Sequence, residues 1–328
     1  MECKDQSETM YTEEYEGINS FLTGSCRLLL NEAHKRETRG NICFELCEPY
    51  MFKIKNPCAR HITIPQRKWF KTLPYAESLW MASGRNDLDF ITYYLDRMSD
   101  FSDDKIMMRG GYGPRLRHYN GRLSDYALAK LQLESEKETD QFRYIVECFN
   151  ADINTRRAVI SIGDPMKDCF DENRLLKQTK DIPCTRMLQF IKQPNTNKLN
   201  LIVTMRSNDL IWGASAVNIF NFTFMQEYFA AILGLEIGEY IHIANNMHYY
   251  DRHVNMVREL AEIVDVEDKG EPLQKRFHSL KEFDDSVCIL AKEESLMRQQ
   301  SNEYKKAKMP DDFFQNWYDV LYQWHLNK

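Results

Sequence analysis

Apolar residues recur at helical spacing between residues 14 and 35 (Ile18, Phe21, Leu22, Leu28, Leu29, Leu30), and the stretch closes on the charged run His34 to Arg39. Arg39-Gly40-Asn41 reads as a turn. Past it the period changes. Ile42, Phe44 and Leu46 alternate with other residues, and Met51 to Ile54 continues a strand-like pattern. Pro57 to Pro65 is a connector. Trp69 to Gly84 then predicts a buried helix with Leu73, Ala76, Leu79 and Trp80 on one face and Gly84 as its stop. Leu88 to Met98 reads as a short helix, Ser99 to Asp104 as an acidic turn, and Gly110-Gly111-Tyr112-Gly113-Pro114 as a tight loop.

In the second half, Phe142 to Cys148 predicts a helix and Ala158 to Ile162 a β-branched strand. Met187 to Ile191 and Leu199 to Thr204 read as two strands around a turn at Pro194-Asn195-Thr196-Asn197. A long apolar helix from Val217 to Leu233 stops at Gly234; Tyr240 to Ala244 is a strand and His253 to Val264 a helix. From Lys269 the composition shifts. Lys275 to Lys308 is charge-rich at helical spacing, and Pro310 opens an aromatic helix carrying Phe313, Phe314, Trp317, Val320, Leu321 and Trp324. The expected organisation is a main body over 1–268 and a helical C-terminal extension over 269–328 packed on the same domain. The mixed order of helices and strands indicates an α+β fold around a central sheet.

With 328 residues, 43% hydrophobic and 28% charged, the composition is that of a soluble globular chain able to bury a full core. A net charge of −6 argues against attraction to nucleic acid or a membrane surface, yet leaves room for a small basic pocket. The first residues lack the basic-then-apolar pattern of a secretion signal, and no apolar run is long enough to cross a bilayer. Nine cysteines at irregular spacing, with no histidine cluster beside Cys43 and Cys47, suggest free thiols in a reducing cytoplasm and no metal site.

Candidate chemistry centres on Cys184, between Pro183 and Thr185, and on the cationic loop Arg206-Ser207-Asn208-Asp209. A thiol attacks only as thiolate, and a nearby guanidinium both lowers its pKa and grips phosphate through a planar fork. Glu77 falls on an apolar helix face, where burial raises a carboxyl pKa towards the range useful for general acid–base work. Each residue also has a plain structural reading. Cys184 as a buried thiol, Arg156 and Arg157 as a solvated pair, Glu77 as a paired carboxylate, and His248 and Tyr250 as one face of a strand are all compatible with the residues taken singly.

Taken in order, they form a pattern: Arg39-Gly40, Glu77-Ser78-Leu79-Trp80, Tyr112-Gly113, Arg156-Arg157, Pro183-Cys184, Gln189-Phe190, Arg206-Ser207-Asn208-Asp209 with Gly213 and Asn218, and His248-Tyr249-Tyr250. This resembles the thymidylate synthase superfamily, which includes methylating synthases and pyrimidine-nucleotide hydroxymethylases. The resemblance implies a thymidylate-synthase-like fold whose mixed sheet packs in a homodimer, and a Cys184 thiolate that adds to C6 of a pyrimidine nucleotide so that C5 becomes nucleophilic. It implies 5,10-methylenetetrahydrofolate as co-substrate. It gives Arg206, Arg39, Ser207 and a partner subunit's copies of Arg156 and Arg157 the 5′-phosphate. Glu77 and Tyr112 take proton transfer, Asp209 with Gly213 and Trp80 the folate, and His248 and Tyr250 the ribose 3′-hydroxyl.

Asn218 reads the base in this scheme, after a one-residue shift because the spacer Ala214-Ser215-Ala216-Val217 is one longer than the common one. A side-chain amide accepts from N3–H and donates to O4 of uracil. Cytosine-specific relatives carry aspartate, so asparagine favours dUMP over dCMP or CMP. Two departures bear on the product. The interval expected to hold stacking tryptophans has Phe101-Ser102-Asp103-Asp104, and the chain ends Trp324-His325-Leu326-Asn327-Lys328 rather than in a short apolar tail. Both, with Thr185 after the nucleophile, tilt the expectation to hydroxymethylation over reductive methylation. A nucleotide-binding protein without turnover is the reading from another class; retention of Cys184, Glu77 and Asp209 together speaks against it.

Overall fold

Alternation of buried and half-exposed residues builds the main sheet of the computed structural model, which describes residues 10–38, 40–126, 138–300 and 304–328. Strands β6 (Thr185–Lys192), β7 (Lys198–Met205) and β9 (Glu236–Ala244) put Leu188, Phe190, Leu201, Val203 and Tyr240 on a fully buried face. With β1 (Tyr11–Tyr15), β4 (Tyr50–Ile54) and β5 (Val159–Ser161) they form a six-stranded sheet in the order β1-β4-β9-β7-β6-β5. The β1·β4 and β7·β9 pairs are parallel and the rest antiparallel, giving the mixed sheet of an α+β fold. A smaller sheet orders β2 (His34–Thr38), β3 (Asn41–Glu45), β10 (Met247–Tyr250) and β8 (Asn208–Asp209) as β2-β3-β10-β8.

The buried face is covered by α1 (Ile18–Glu32), α2 (Thr72–Ala82), α5 (Gln141–Ala151) and the largely apolar α7 (Ile219–Ile232). The charged run after α1 is strand β2, exposed throughout; a hairpin partner outweighs its helix-forming composition. Gly110 to Pro114 is a loop only in part, because Tyr112 opens the short helix α4 (Tyr112–Arg117). Leu88 to Met98 divides into α3 (Leu88–Tyr94) and a 3-10 turn.

The C-terminal segment contributes α9 (Leu280–Gln300) and α10 (Asp312–Leu326), so its helical part is shorter than 275–308. Trp317 of α10 is fully buried and its indole N–H donates to the Tyr75 carbonyl of α2 (2.8 Å), while Phe313 stacks on Phe224 of α7. Buried charges tie the same surfaces. Arg117 bonds both carboxylate oxygens of Asp284 at 2.8 Å, and Glu227 of α7 pairs with Arg60 and Lys275. Among the described residues no helix is long and apolar enough to cross a membrane.

Candidate active site

The segment Arg206 to Asn221 is the spine of the site. It leaves β7, forms the two-residue strand β8 and becomes a π-helical turn, Leu210–Asn218, that runs into α7. A π-turn holds one residue more than an α-turn, so the extra spacer residue is taken up locally and Asn218 arrives at the head of α7. Wide turns need outside partners for their carbonyls. Arg67 donates to Ile211 O (2.5 Å) and Ser215 Oγ (3.2 Å), and Trp69 Nε1 donates to Ala216 O (2.9 Å). Gly213 sits where a Cβ would stand 2.5 Å from Asn208 Oδ1 and 2.9 Å from Asn218 Oδ1, so a side chain there would have to displace one or both amides.

Cys184 stands just before β6, partly exposed, where the β6–β7 register slips between Thr185 and Met187. Such a bulge re-aims neighbouring side chains. Arg206 lies across this strand entry: Nε donates to Pro183 O (3.2 Å), a terminal nitrogen to Ile182 O (3.0 Å), and the backbone N–H to Cys184 O (2.9 Å). Tyr112 closes the other side, its hydroxyl accepting from Thr185 N–H (3.2 Å). Burial, and then the charge of the adjacent Cys184, push the Tyr112 phenol up to about 12, so it stays protonated at neutral pH.

Glu77 projects from α2. Burial pushes its carboxyl up to about 7, against a single hydrogen bond from Asn221 Nδ2 (2.9 Å), so it titrates where a general acid–base group is effective. Asn221 also accepts from Ser78 Oγ (3.0 Å) and lies one turn beyond Asn218, which brings the carboxylate and the candidate base reader to one end of α7. Trp80, one turn past Glu77, is buried with its indole N–H unpartnered among the described residues.

Asp209 caps the π-turn, Oδ1 accepting from Ile211 N–H (2.8 Å) and Trp212 N–H (3.1 Å). Its Oδ2 is buried with no partner among the described residues, an acceptor left open to a ligand N–H. Trp212 faces Phe101 at 6.2 Å and lies under Arg97 at 4.5 Å, so Phe101 occupies aromatic ground beside this carboxylate. His248 pairs with Asp209 across β10 and β8. Its Nδ1 bonds Asn246 Oδ1 (3.0 Å), which also accepts from Ser207 Oγ (3.3 Å), and Asn246 donates to Glu45 (2.9 Å). Burial lowers the His248 pKa, opposed mainly by the Asp209 charge. Tyr250 meets His248 edge-on at 5.3 Å.

Arg206, Ser207, Asp209, Gly213 and Asn218 thus follow one another along this spine, Cys184 and Tyr112 flank the strand entry that Arg206 crosses, His248 pairs beside Asp209 with Tyr250 against it, and Glu77 joins through Asn221, with Trp80 one turn further along α2. Arg156 and Arg157 do not join it. They are exposed at the start of β5, the edge strand. Arg39 lies outside the described residues. The sequence reading missed Asn221, Asn246, Arg67 and Trp69. The first is foreshadowed by its three-residue spacing from Asn218 and the second by strand alternation with His248, whereas nothing local marks Arg67 or Trp69.

The family model described as "Thymidylate synthase" matches residues 23–275, most of the chain. This chain belongs to the thymidylate synthase family. Among curated relatives within that family it is 33% identical to a deoxyuridylate hydroxymethyltransferase of Bacillus phage SP01 over 236 residues, covering 71% of this chain and 58% of that protein. The deoxyuridylate hydroxymethyltransferase of Pseudomonas phage M6 matches at 33% over 233 residues (71% and 59%). A thymidylate synthase of Francisella philomiragia subsp. philomiragia matches at 25% over 189 residues (56% and 62%). The chain therefore spans less than two thirds of the length of these thymidylate synthase family relatives.

Proposed function

We propose that this protein transfers a one-carbon unit to C5 of a pyrimidine nucleotide, with dUMP as substrate and 5-hydroxymethyl-dUMP as product. The observation that carries the reading is the Arg206–Asn221 segment, which links a thiol-bearing strand entry, an amide at a helix start and a carboxylate that titrates near 7. The deoxyuridylate hydroxymethyltransferases among the relatives support the choice of base and product.

In this mechanism Cys184 adds as thiolate to C6 of the ring, which makes C5 nucleophilic. Arg206, Ser207 and Arg39 hold the 5′-phosphate, with Arg156 and Arg157 arriving from a second subunit. His248 and Tyr250 hold the ribose, and Asn218 reads N3–H and O4. Bound 5,10-methylenetetrahydrofolate, held at the Asp209 carboxylate, Gly213 and Trp80, supplies a carbon at the oxidation level of formaldehyde. Glu77 moves protons at the base, and the Tyr112 hydroxyl positions the C5 proton acceptor. Loss of the C5 proton and departure of tetrahydrofolate leave an exocyclic methylene on C5; water adds to that carbon, and expulsion of the Cys184 thiolate from C6 restores the ring and frees the hydroxymethyl product. Phe101 in place of tryptophan, and Thr185 after the nucleophile, support water over hydride at that step.

The second-subunit role rests on the uncovered face of the main sheet. Met51, Met187, Ile191, Ile202, Ile241 and Ile243 are partly exposed there, an apolar surface suited to a second copy related by a two-fold axis. No disulfide joins the eight described cysteines, which suits a reducing cytoplasm.

The test is tritium release from C5-labelled dUMP, dCMP and CMP with and without methylenetetrahydrofolate, combined with product mass and absorbance at 340 nm. Release from dUMP with a hydroxymethyl product and no absorbance rise is expected. An absorbance rise from dihydrofolate would mean reductive methylation, and release from a cytosine nucleotide alone would mean the other base. No release from any of the three leaves a silent nucleotide binder and defeats the proposal.

A further inference from the structure

An amide side chain reads uracil or cytosine according to which of its two ends is oxygen. Uracil presents an N3–H donor and an O4 acceptor, whereas cytosine presents an N3 acceptor and an amino donor. Asn218 turned over by half a rotation fits either, since the two ends differ in hydrogen bonding and not in shape. Discrimination requires something that holds it one way up.

Two amide oxygens lie close to one point above Gly213. The point where a Cβ would stand lies 2.5 Å from Asn208 Oδ1 and 2.9 Å from Asn218 Oδ1. Asn208 is 2% exposed, its Oδ1 has no partner among the described residues, and its Nδ2 lies 3.1 Å from His242 Nε2. His242 is fully buried, stacked on Phe52, with Nδ1 2.7 Å from the Tyr240 hydroxyl. Burial holds His242 neutral, pushing it down to about 3, and keeps the Tyr240 phenol protonated.

Of the two tautomers of His242, one uses every donor. The phenol hydrogen has His242 Nδ1 as its one partner among the described residues; when the phenol donates there, the ring's own hydrogen sits on Nε2 and needs an acceptor in turn. Turning the Asn208 amide over, at no change in volume, supplies it. The Asn208 oxygen accepts from Nε2–H and its NH2 group faces Asn218 Oδ1. The Asn208 oxygen is then no longer without a partner, and every donor in the chain is used.

We infer that Tyr240, His242 and Asn208 form a one-directional relay that locks the Asn218 amide in a single orientation and so act as positioning residues for the choice between uracil and cytosine. This rests on Asn218 as the base reader. None of the three touches the base; each acts through its neighbour.

The experiment compares dissociation constants for dUMP and dCMP by calorimetry in the full-length protein and in Asn208→Leu and Tyr240→Phe. Melting temperature checks the fold, and inorganic phosphate is a competitor that senses no base. The dCMP-to-dUMP ratio should fall at least about tenfold in Asn208→Leu, as expected when a polar recognition group loses its fixed partner. It should fall less in Tyr240→Phe, and phosphate affinity should stay within about twofold in both. If Asn208→Leu does not fold, Tyr240→Phe carries the test through removal of one oxygen. A ratio unchanged in the folded variants overturns the relay. A wild-type protein that prefers dCMP refutes the uracil reading instead, and the relay then stands only if the variants still move the ratio.

Discussion

Glu77→Gln should stabilise the ligand-free protein, and by an amount that depends on pH. The substitution keeps shape and the Asn221 contact but removes the ionisable proton. In the folded chain burial raises the carboxyl from 4.5 to about 7. At roughly 1.4 kcal/mol per pH unit, that displacement costs the ionised form on the order of 3 kcal/mol. The sign follows from linkage. Below pH 4.5 the carboxyl is protonated both folded and unfolded, and the two proteins should have similar stability. As pH rises towards 7 the unfolded chain ionises first, so the wild type loses stability across that window and not above it. Urea unfolding at fixed protein concentration should give a variant-minus-wild-type difference near zero at pH 4.5 and about 2–3 kcal/mol in favour of Gln at pH 8, allowing for partial solvent screening. Turnover should fall at the same time, the usual exchange of stability for function at a strained group. A difference of equal size at both pH values, or one that shrinks as pH rises, would refute the reasoning.

Cys184→Ala should abolish tritium release, a loss of more than about 10³-fold, while leaving the dUMP dissociation constant within about threefold by calorimetry. Asn218→Asp should move preference towards dCMP by about tenfold or more, read as the ratio of kcat/KM for the two nucleotides. Asp284→Ala leaves the buried Arg117 guanidinium with Asp140 and the Ala82 carbonyl as its remaining partners, and should lower unfolding stability by about 2–3 kcal/mol in urea titrations. Trp69→Phe removes the donor to Ala216 O, and should raise KM for dUMP more than it lowers kcat, because it loosens the turn that presents Asn218.

Much of the architecture was legible because burial imposes a period. The alternation at Leu199 to Thr204 and the long, largely apolar run of α7 need no tertiary information to be read as strand and helix. Strand β2 was not legible, since its five exposed, mostly polar and charged residues owe their conformation to pairing with β3. Helix α4 was hidden behind Gly110, Gly111 and Pro114, although proline early in a helix costs no hydrogen bond. At the site, residue types with intrinsic chemistry such as Cys184, Glu77 and Arg206 stood out. Asn221 and Asn246 did not, because an asparagine is informative only once its partners are known. Arg67 reads as an ordinary surface cation in the chain and is a buried clamp in the fold.

Inserting one residue into a regular helix rotates everything after it by about 100°, which would swing the apolar stripe of α7 out of the core. Here the widened turn at Leu210–Asn218 acts as a buffer, so the phase of the downstream residues is preserved while the upstream loop gains length. Such a buffer lets the mouth of the pocket be remodelled by single-codon changes without renegotiating the interior, and spacing alone is then a poor guide to which amide faces the ligand.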